Sequence, residues 1–174
     1  MPSPLGHALG AAAAGWALAP PLPSTVRNVV SATLRRGAWF AVLGMLPDVD
    51  LLVAGLHRGP THSLSAALIA GLAAAALTRN GRLGAAAGCA YATHTLLDWL
   101  GADSSRPIGI MAFWPLTWDY YQVSRPVFDS VWRRNETPDF WSHNVKAIAR
   151  ELIILVPLAW LGLVRATRNR QPGR

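Results

Sequence analysis

The chain has 174 residues, of which 52% are hydrophobic and only 14% are charged, and it has a net charge of +7 and a single cysteine. So much apolar surface excludes an intrinsically disordered chain, and an unpaired cysteine excludes a disulfide scaffold within the chain. The basic excess is typical of a nucleic-acid binder or of a membrane protein with basic cytoplasmic loops.

Five apolar runs follow one another along the chain and predict helices. They cover residues 1–26, 37–46, 59–78, 83–97 and 152–164. A transmembrane helix needs about 20 apolar residues, a length that only the first and third runs approach, and three prolines shorten the first. The sequence therefore predicts an all-α fold, a membrane-embedded bundle of about four to five helices.

An irregular segment interrupts this pattern before the last helix. Residues 99–147 hold five of the eight tryptophans, and Trp and Tyr are enriched at membrane interfaces. We expect an aromatic-rich cap there, within a single helical membrane domain at residues 1–164, followed by a basic tail at 165–174.

The charges divide between two sets of connections. Those at 26–36, 79–82 and 165–174 hold nine arginines and no acid, whereas 47–58 and 98–151 hold all nine acids. Helices that run up and down then carry the basic connections at one end. The positive-inside rule puts this end and the C-terminus in the cytoplasm and the other end outside a cytoplasmic membrane. The alternative is a soluble helical protein whose charges segregate by chance.

His94 and Asp98 in the run THTLLD are four residues apart. On a helix this spacing puts both side chains on one face, one turn apart. An imidazole and a carboxylate so placed suit a divalent metal. A buried hydrogen bond between the two side chains is the alternative interpretation.

Asp48 and Asp50 follow Pro47 where the second helix is predicted to end. Two carboxylates with this spacing can face one ion only in a non-helical turn, which proline favours. The alternative is that both side chains cap a helix end.

His57 and His62 bracket the run HRGPTH, in which Gly59 and Pro60 break regular structure. Arg58 between them carries a planar guanidinium that suits phosphate or carboxylate; the alternative is an anchor at the membrane interface. His7 lies near the start of the first helix.

Seven potential ligands from four separate segments meet at the acidic end of the predicted bundle. They are His7, Asp48, Asp50, His57, His62, His94 and Asp98. Ionisable groups near a membrane are costly and are tolerated where they pair, bind ions or face water. Their convergence predicts a metal site with enough ligands for two ions.

At these residues the chain resembles the LexA-regulated (YdjM-like) membrane-bound metal-dependent hydrolases. The matching pieces are the early His7, LGMLPDVD at 43–50, HRGPTHS at 57–63, THTLLDWL at 93–100 and FWPL at 113–116. They span about the first two-thirds of the chain.

A more distant similarity is to zinc-dependent phospholipase C and related nucleases, which are all-helical. It implies that His7, Asp48, His62, His94 and Asp98 are metal ligands. The chain departs from that pattern at His143, which is followed four positions on by Ala147 instead of a glutamate. The similarity therefore implies one or two ions and not three.

The leading hypothesis is a membrane-bound hydrolase in which a divalent ion activates a water molecule. The ion is expected to be zinc, although manganese and iron also accept His and Asp ligands. Asp50 or His57 is then a further ligand or the general base, and Arg58 orients an anionic substrate. A phosphoester, most simply that of a membrane lipid, suits this site, with Trp114 and Pro115 shaping the entry.

Two other functions use the same sequence differently. A non-catalytic metal-binding membrane protein, for transport or sensing, would use the same ligands without turnover. A nucleic-acid binder would need a basic face mixed with polar residues, whereas the arginines here stand at helix ends beside apolar runs. We therefore expect no nucleic-acid partner.

Overall fold

The computed structural model describes residues 1–23, 25–53, 57–103, 106–133, 135 and 137–168, and within them the fold is all-α. Five α-helices are present in this part of the chain: α1 (Pro4–Leu18), α2 (Val29–Met45), α3 (Leu64–Thr78), α4 (Gly81–Leu100) and α5 (Phe140–Arg168). Two short 3₁₀ helices, Leu46–Leu52 and Pro60–His62, lie between α2 and α3. The predicted helical bundle is confirmed.

Polar caps set where the first four helices begin. The capping residues are Ser3, Asn28, Ser63 and Asn80, and each side chain accepts a hydrogen bond from the N–H three positions on. Such caps satisfy amides that have no partner within the helix. Pro4 occupies the first position of α1, where its missing N–H costs nothing.

Helix α1 lies at the centre of the bundle and packs against α2, α4 and α5, while α3 packs along α4. Small residues allow the closest approaches. A Cβ atom at Gly44 of α2 would lie 2.3 Å from the Cβ of Ala11 and 2.8 Å from the carbonyl oxygen of His7. Helices in membranes commonly associate through small residues in this way.

Among the described residues, two helical stretches are long and apolar enough to cross a membrane, Val29–Leu52 and Phe140–Arg168. The first joins α2 to the 3₁₀ helix that follows it, and the second is α5. Helix α3 is apolar but shorter.

Helix α2 begins earlier than its apolar run, so Arg35 and Arg36 lie within it and not in a connection. The cap at Asn28 starts the helix ahead of these residues. The Arg36 guanidinium donates a hydrogen bond of 2.7 Å to the carbonyl of Pro20. A long side chain of this kind keeps its charge at the helix end while its backbone is helical.

Helix α5 is longer than predicted at both ends. It begins at Phe140, so the irregular segment ends at residue 139 and not at 147. It also continues through Arg165 to Arg168, which removes these residues from the predicted tail. The rest of that tail, 169–174, lies outside the described residues.

The cap between α4 and α5 is irregular, as predicted. Isolated β-bridges pair Gly101 with Phe128 and Ile110 with Tyr121. Ile110 and Phe128 are buried, and they tie the cap to the end of the bundle at which α4 finishes.

Candidate metal centre

Four ionisable side chains are buried together at the end of the bundle that the cap covers. His7, His62, His94 and Asp98 have side chains that are at most 1% exposed. Burying ionisable groups is costly unless they are paired or bind a metal. Their convergence from three elements confirms that the segments meet at one end.

Local structure places each of these side chains. His7 lies about one turn inside α1, and His62 ends the short 3₁₀ helix before α3. His94 and Asp98 lie one turn apart on a buried face of α4. Asp48 comes from the 3₁₀ helix Leu46–Leu52 that continues α2. The expected non-helical turn is therefore wrong: the chain leaves α-helical geometry at Leu46 but stays helical through Asp48 and Asp50.

The donor atoms approach one another closely around Asp98. Its Oδ2 lies 3.3 Å from Nε2 of His94 and 3.5 Å from Nε2 of His62, and its Oδ1 lies 3.2 Å from Nε2 of His7. Oδ1 of Asp48 lies 3.6 Å from Nε2 of His62 and 3.8 Å from Nε2 of His94. The ligand atoms of the described residues form two groups, each within 4.8 Å: His7 with His94 and Asp98, and Asp48 with Asp50, His57 and His62. The two groups adjoin, because His62 approaches Asp98 and Asp48 approaches His94.

These atoms fit a divalent cation. Within the described residues, none of these Nε2 atoms, nor Oδ1 of Asp48, nor either oxygen of Asp98, makes a hydrogen bond. Two ligands about 2.0–2.1 Å from a tetrahedral zinc lie about 3.3 Å from each other, close to the separations seen here. The separations therefore fit a metal ion whose ligands are drawn from these five side chains.

The outer nitrogens of two histidines are fixed by hydrogen bonds. Nδ1 of His94 lies 2.7 Å from the carbonyl oxygen of Gly44, and because a carbonyl only accepts, Nδ1 carries the proton and Nε2 keeps its lone pair. Nδ1 of His62 lies 3.2 Å from Oδ2 of Asp50. Partners of this kind fix the tautomer and raise ligand basicity.

Asp50 stands outside the cluster of five donors. Its carboxylate accepts hydrogen bonds from the hydroxyl of Thr61 at 2.6 Å and from the N–H of Arg58 at 3.2 Å, and it lies 3.0 Å from Nδ1 of His57. Asp48, Asp50, His57 and His62 also form a second group whose donor atoms lie within 4.8 Å of one another. Asp50 thereby links His57 to His62.

His62 lies outside both candidate membrane spans. Burial alone would lower the pKa of its imidazole, but the carboxylates of Asp48 and Asp50 raise this pKa to about 9. The site therefore favours a cation at this position, whether a proton or a metal.

Arg58 has a left-handed backbone, with a φ of 68°, a conformation that costs free energy and is often found at functional sites. Its guanidinium is buried, pairs with Asp103 and donates a hydrogen bond of 2.5 Å to the carbonyl of Pro107. Arg58 thus links the segment that precedes α3 to the cap.

A cavity of about 900 Å³ lies beside the donor cluster. Asp48 and His57, with side chains 21% and 22% exposed, line it together with Arg58, Trp132 and Arg133. Trp114 and Pro115, predicted to shape the entry, are not among its lining residues. Sequence reasoning missed Arg133, because the many arginines of this chain gave it no distinguishing signal.

Glu151 was also missed. It is 1% exposed, and its carboxylate accepts hydrogen bonds from the backbone N–H of Ser3, at 2.8 Å, and from the Ser3 hydroxyl. Its signal in the sequence was an isolated acid at the edge of an apolar run. His143 lies apart from the centre, with its ring stacked on Trp132 and its Nε2 2.7 Å from the carbonyl of Ser130.

Comparison with known proteins shows the family of the chain. No curated protein and no solved structure matches the chain, so the distant similarity to zinc-dependent phospholipase C is not shown. A protein-family model matches residues 1–169, almost the whole chain, and this match agrees with the resemblance seen in the motifs. The chain belongs to the YdjM inner membrane protein family.

Proposed function

We propose that this membrane protein is a metal-dependent hydrolase that acts on a phosphoester, most simply that of a membrane lipid. The observation that carries the proposal is a set of six buried atoms, from five side chains, that make no hydrogen bond within the described residues and lie beside a cavity lined by arginine. His7, Asp48, His62, His94 and Asp98 would hold one divalent ion, and three imidazoles with two carboxylates favour zinc. Bound there, the ion would supply an activated water molecule.

His57 is the residue we assign as general base. Its Nδ1 lies 3.0 Å from the Asp50 carboxylate. Its Nε2 is buried, although the side chain lines the cavity, and makes no hydrogen bond within the described residues. Because Asp50 accepts the Nδ1 proton, Nε2 is left to accept the proton of an attacking water. Asp50 then acts through His57 and His62, as a positioning residue and not as the base.

The cavity supports an anionic substrate. Arg133 is exposed and lines the cavity, where its guanidinium can pair with phosphate oxygens in a bidentate manner. Arg58 lines the same wall, but Asp103 and Pro107 already engage its guanidinium. We therefore assign the main contact with the substrate anion to Arg133, and a supporting charge to Arg58.

The reaction would proceed by attack of water on phosphorus. A new P–O bond forms, the bond to the leaving alkoxide breaks, and His57 takes the proton of the water. Protonated His57 then gives this proton to the alkoxide, which restores the base. Asp48 is the one proposed ligand that also faces the cavity. A substrate phosphate would therefore approach the metal from this side.

The charge pattern supports an orientation in the membrane. The stretches 26–36, 79–82 and 165–174, which contain or adjoin the helix ends opposite the metal centre, carry arginines without acids. This favours that end in the cytoplasm. We propose that the metal centre faces the outer side.

The test is hydrolysis by purified protein in detergent, loaded with Zn²⁺ or Mn²⁺. Bis(4-nitrophenyl) phosphate and micellar phosphatidylglycerol are suitable probes. We expect His57→Gln to lower the rate by about 10²–10⁴-fold, the usual contribution of a general base, while the bound metal is retained. Asp119→Asn, which alters an exposed carboxylate of the cap that does not line the cavity, should leave the rate unchanged.

The alternative, a metal-binding membrane protein for transport or sensing, makes a different prediction. Stoichiometric metal without hydrolysis of either probe would overturn the assignment as a phosphoester hydrolase and favour that alternative. Equal rates in wild type and His57→Gln would overturn the assignment of the base.

A further inference from the structure

An apolar groove of about 550 Å³ lies on the side of the bundle between α4 and α5. Its floor is a row of small residues on α1: Gly10, Ala13, Ala14 and Ala17. Its walls are leucines and isoleucine of α4 and α5, and Phe128 of the cap lies at one end. It lies apart from the metal centre, because its lining includes neither a proposed ligand nor a residue of the cavity.

The lining leaves almost no polar group for a ligand to satisfy. Thr93 is its one uncharged polar side chain, and the Thr93 hydroxyl already donates to the carbonyl of Ala90 at 2.7 Å. Arg165, at the other end of the groove, is the only charged lining residue and is exposed. The groove therefore offers an apolar channel with a single cation at its end.

Helix α5 forms one wall of the groove, and this helix is long and apolar enough to cross a membrane. Ile154 and Arg165, which both line it, are eleven positions apart on this helix, or about 16 Å at a rise of 1.5 Å per residue. The groove therefore runs along α5 with apolar walls and one cation at its end, an arrangement that suits an acyl chain beside an anionic headgroup.

We propose that this groove binds one acyl chain of an anionic glycerophospholipid, whose headgroup phosphate pairs with Arg165. Charge complementarity selects the headgroup, because basic sites between membrane helices attract anionic lipids. The small side chains of α1 make room for the acyl chain. This lipid site goes beyond the hydrolase proposal and does not depend on it.

The test is native mass spectrometry of the full chain with dioleoylphosphatidylglycerol or dioleoylphosphatidylcholine added in detergent. Wild type should retain one phosphatidylglycerol and bind phosphatidylcholine more weakly. The double variant Ala14→Leu with Ala17→Leu fills the groove and should lose the bound lipid. Ala73→Leu with Ala76→Leu places the same groups on exposed positions of α3 and should bind lipid as wild type does.

Arg165→Gln should weaken phosphatidylglycerol about fivefold, since one arginine near an anionic lipid contributes about that factor. It should weaken phosphatidylcholine less, because the choline cation of that lipid offsets the charge of the phosphate that Arg165 contacts. Arg82→Gln, an exposed residue at the start of α4, is the matched control and should change neither lipid.

Equal lipid retention in wild type and the groove-filled variant would overturn the proposal. So would a wild-type dimer that the groove-filled variant converts to a monomer, because a second copy would then be the occupant. Metal content, measured in the same samples, should match wild type in every variant. This separates a failure of the lipid site from a failure of the metal centre.

Discussion

The carboxylate of Glu151 on α5 accepts hydrogen bonds from the backbone N–H and the hydroxyl of Ser3, the residue that caps α1. A negative charge at a helix N-terminus is stabilising, more so where it is partly buried. His7 lies one turn further along α1. Helix α5 thereby fixes the end of α1 that brings His7 to the candidate metal centre.

Replacing this carboxylate should therefore weaken the fold and the centre together. Glu151→Ala leaves the buried N–H of Ser3 without a partner, which typically costs about 1–3 kcal/mol. We expect a lower thermal unfolding midpoint in detergent and weaker metal binding. Asp129→Asn removes an exposed pair with Arg150 and should change the midpoint little. An unchanged midpoint in Glu151→Ala would contradict this role.

Asp50 should act on metal affinity although it is not one of the five convergent donors. Asp50→Asn weakens the partner of His62 Nδ1, and losing such a partner typically costs 10–100-fold in metal affinity. Competition with a chromogenic chelator measures the change. Asp119→Asn, which alters an exposed carboxylate of the cap, should have no effect. Complete loss of metal in Asp50→Asn would instead indicate that Asp50 is itself a ligand.

Gly44 is a sensitive position outside the ligand set. A methyl group there would meet Ala11 and the backbone of His7, and the carbonyl of Gly44 also fixes His94. We expect Gly44→Ala to destabilise the protein by about 1–3 kcal/mol, as overpacking does, and to lower metal content.

Gly81→Ala is the matched control for this substitution. A Cβ atom at Gly81 meets nothing within 4 Å, so this variant should be as stable as wild type or slightly more stable. Equal stabilities of the two alanine variants would show that the close approach of α1 and α2 is not required.

Metal binding should depend on pH through His62. Its pKa is raised to about 9 in the metal-free protein, so a proton must leave when the metal binds. Below this pKa we expect affinity for Zn²⁺ to rise about tenfold per pH unit for the one proton released. Chelator competition at pH 7 and 8 measures the slope, and a slope of zero would contradict the prediction.

The raised pKa of His62 affects the stability of the metal-free fold in the opposite direction: this stability falls as pH rises, whereas the affinity for Zn²⁺ increases. A folded-state pKa above the usual value of 6.5 means that protonated His62 stabilises the fold fully below about pH 6.5 and that this contribution is lost as pH rises through about 9. Unfolding midpoints of the metal-free protein should therefore fall across this range. In the presence of metal the fall should be smaller or absent.

The sequence could predict that the candidate ligands meet at one end of the bundle, because this depends on two simple patterns. The spacing of His94 and Asp98 puts them on one helix face, and the alternation of basic and acidic connections puts His7, Asp48 and His62 at the same end of the bundle. The residues at which the helices begin and end were harder to predict. The cap residue Asn28 and the amphipathic start of α5 extend helices beyond their apolar runs.

The parts of the site that depend on tertiary contacts could not be predicted. Whether Arg58 faces a substrate or a neighbouring acid depends on Asp103, which lies 45 positions away in an irregular cap. The bond between Ser3 and Glu151 spans 148 positions and leaves no periodic trace in the sequence. The same holds for Arg133, whose place in the cavity wall is set by the fold of the cap.

The most direct test of the metal centre is elemental analysis of protein purified in detergent and reconstituted with Zn²⁺, comparing wild type with His94→Ala, Asp98→Ala and His143→Ala. The account predicts about one zinc per chain in wild type and in His143→Ala, and loss of the metal in the other two variants while they remain folded. Equal metal content in His94→Ala and wild type, or no metal in any of them, would contradict a shared metal centre.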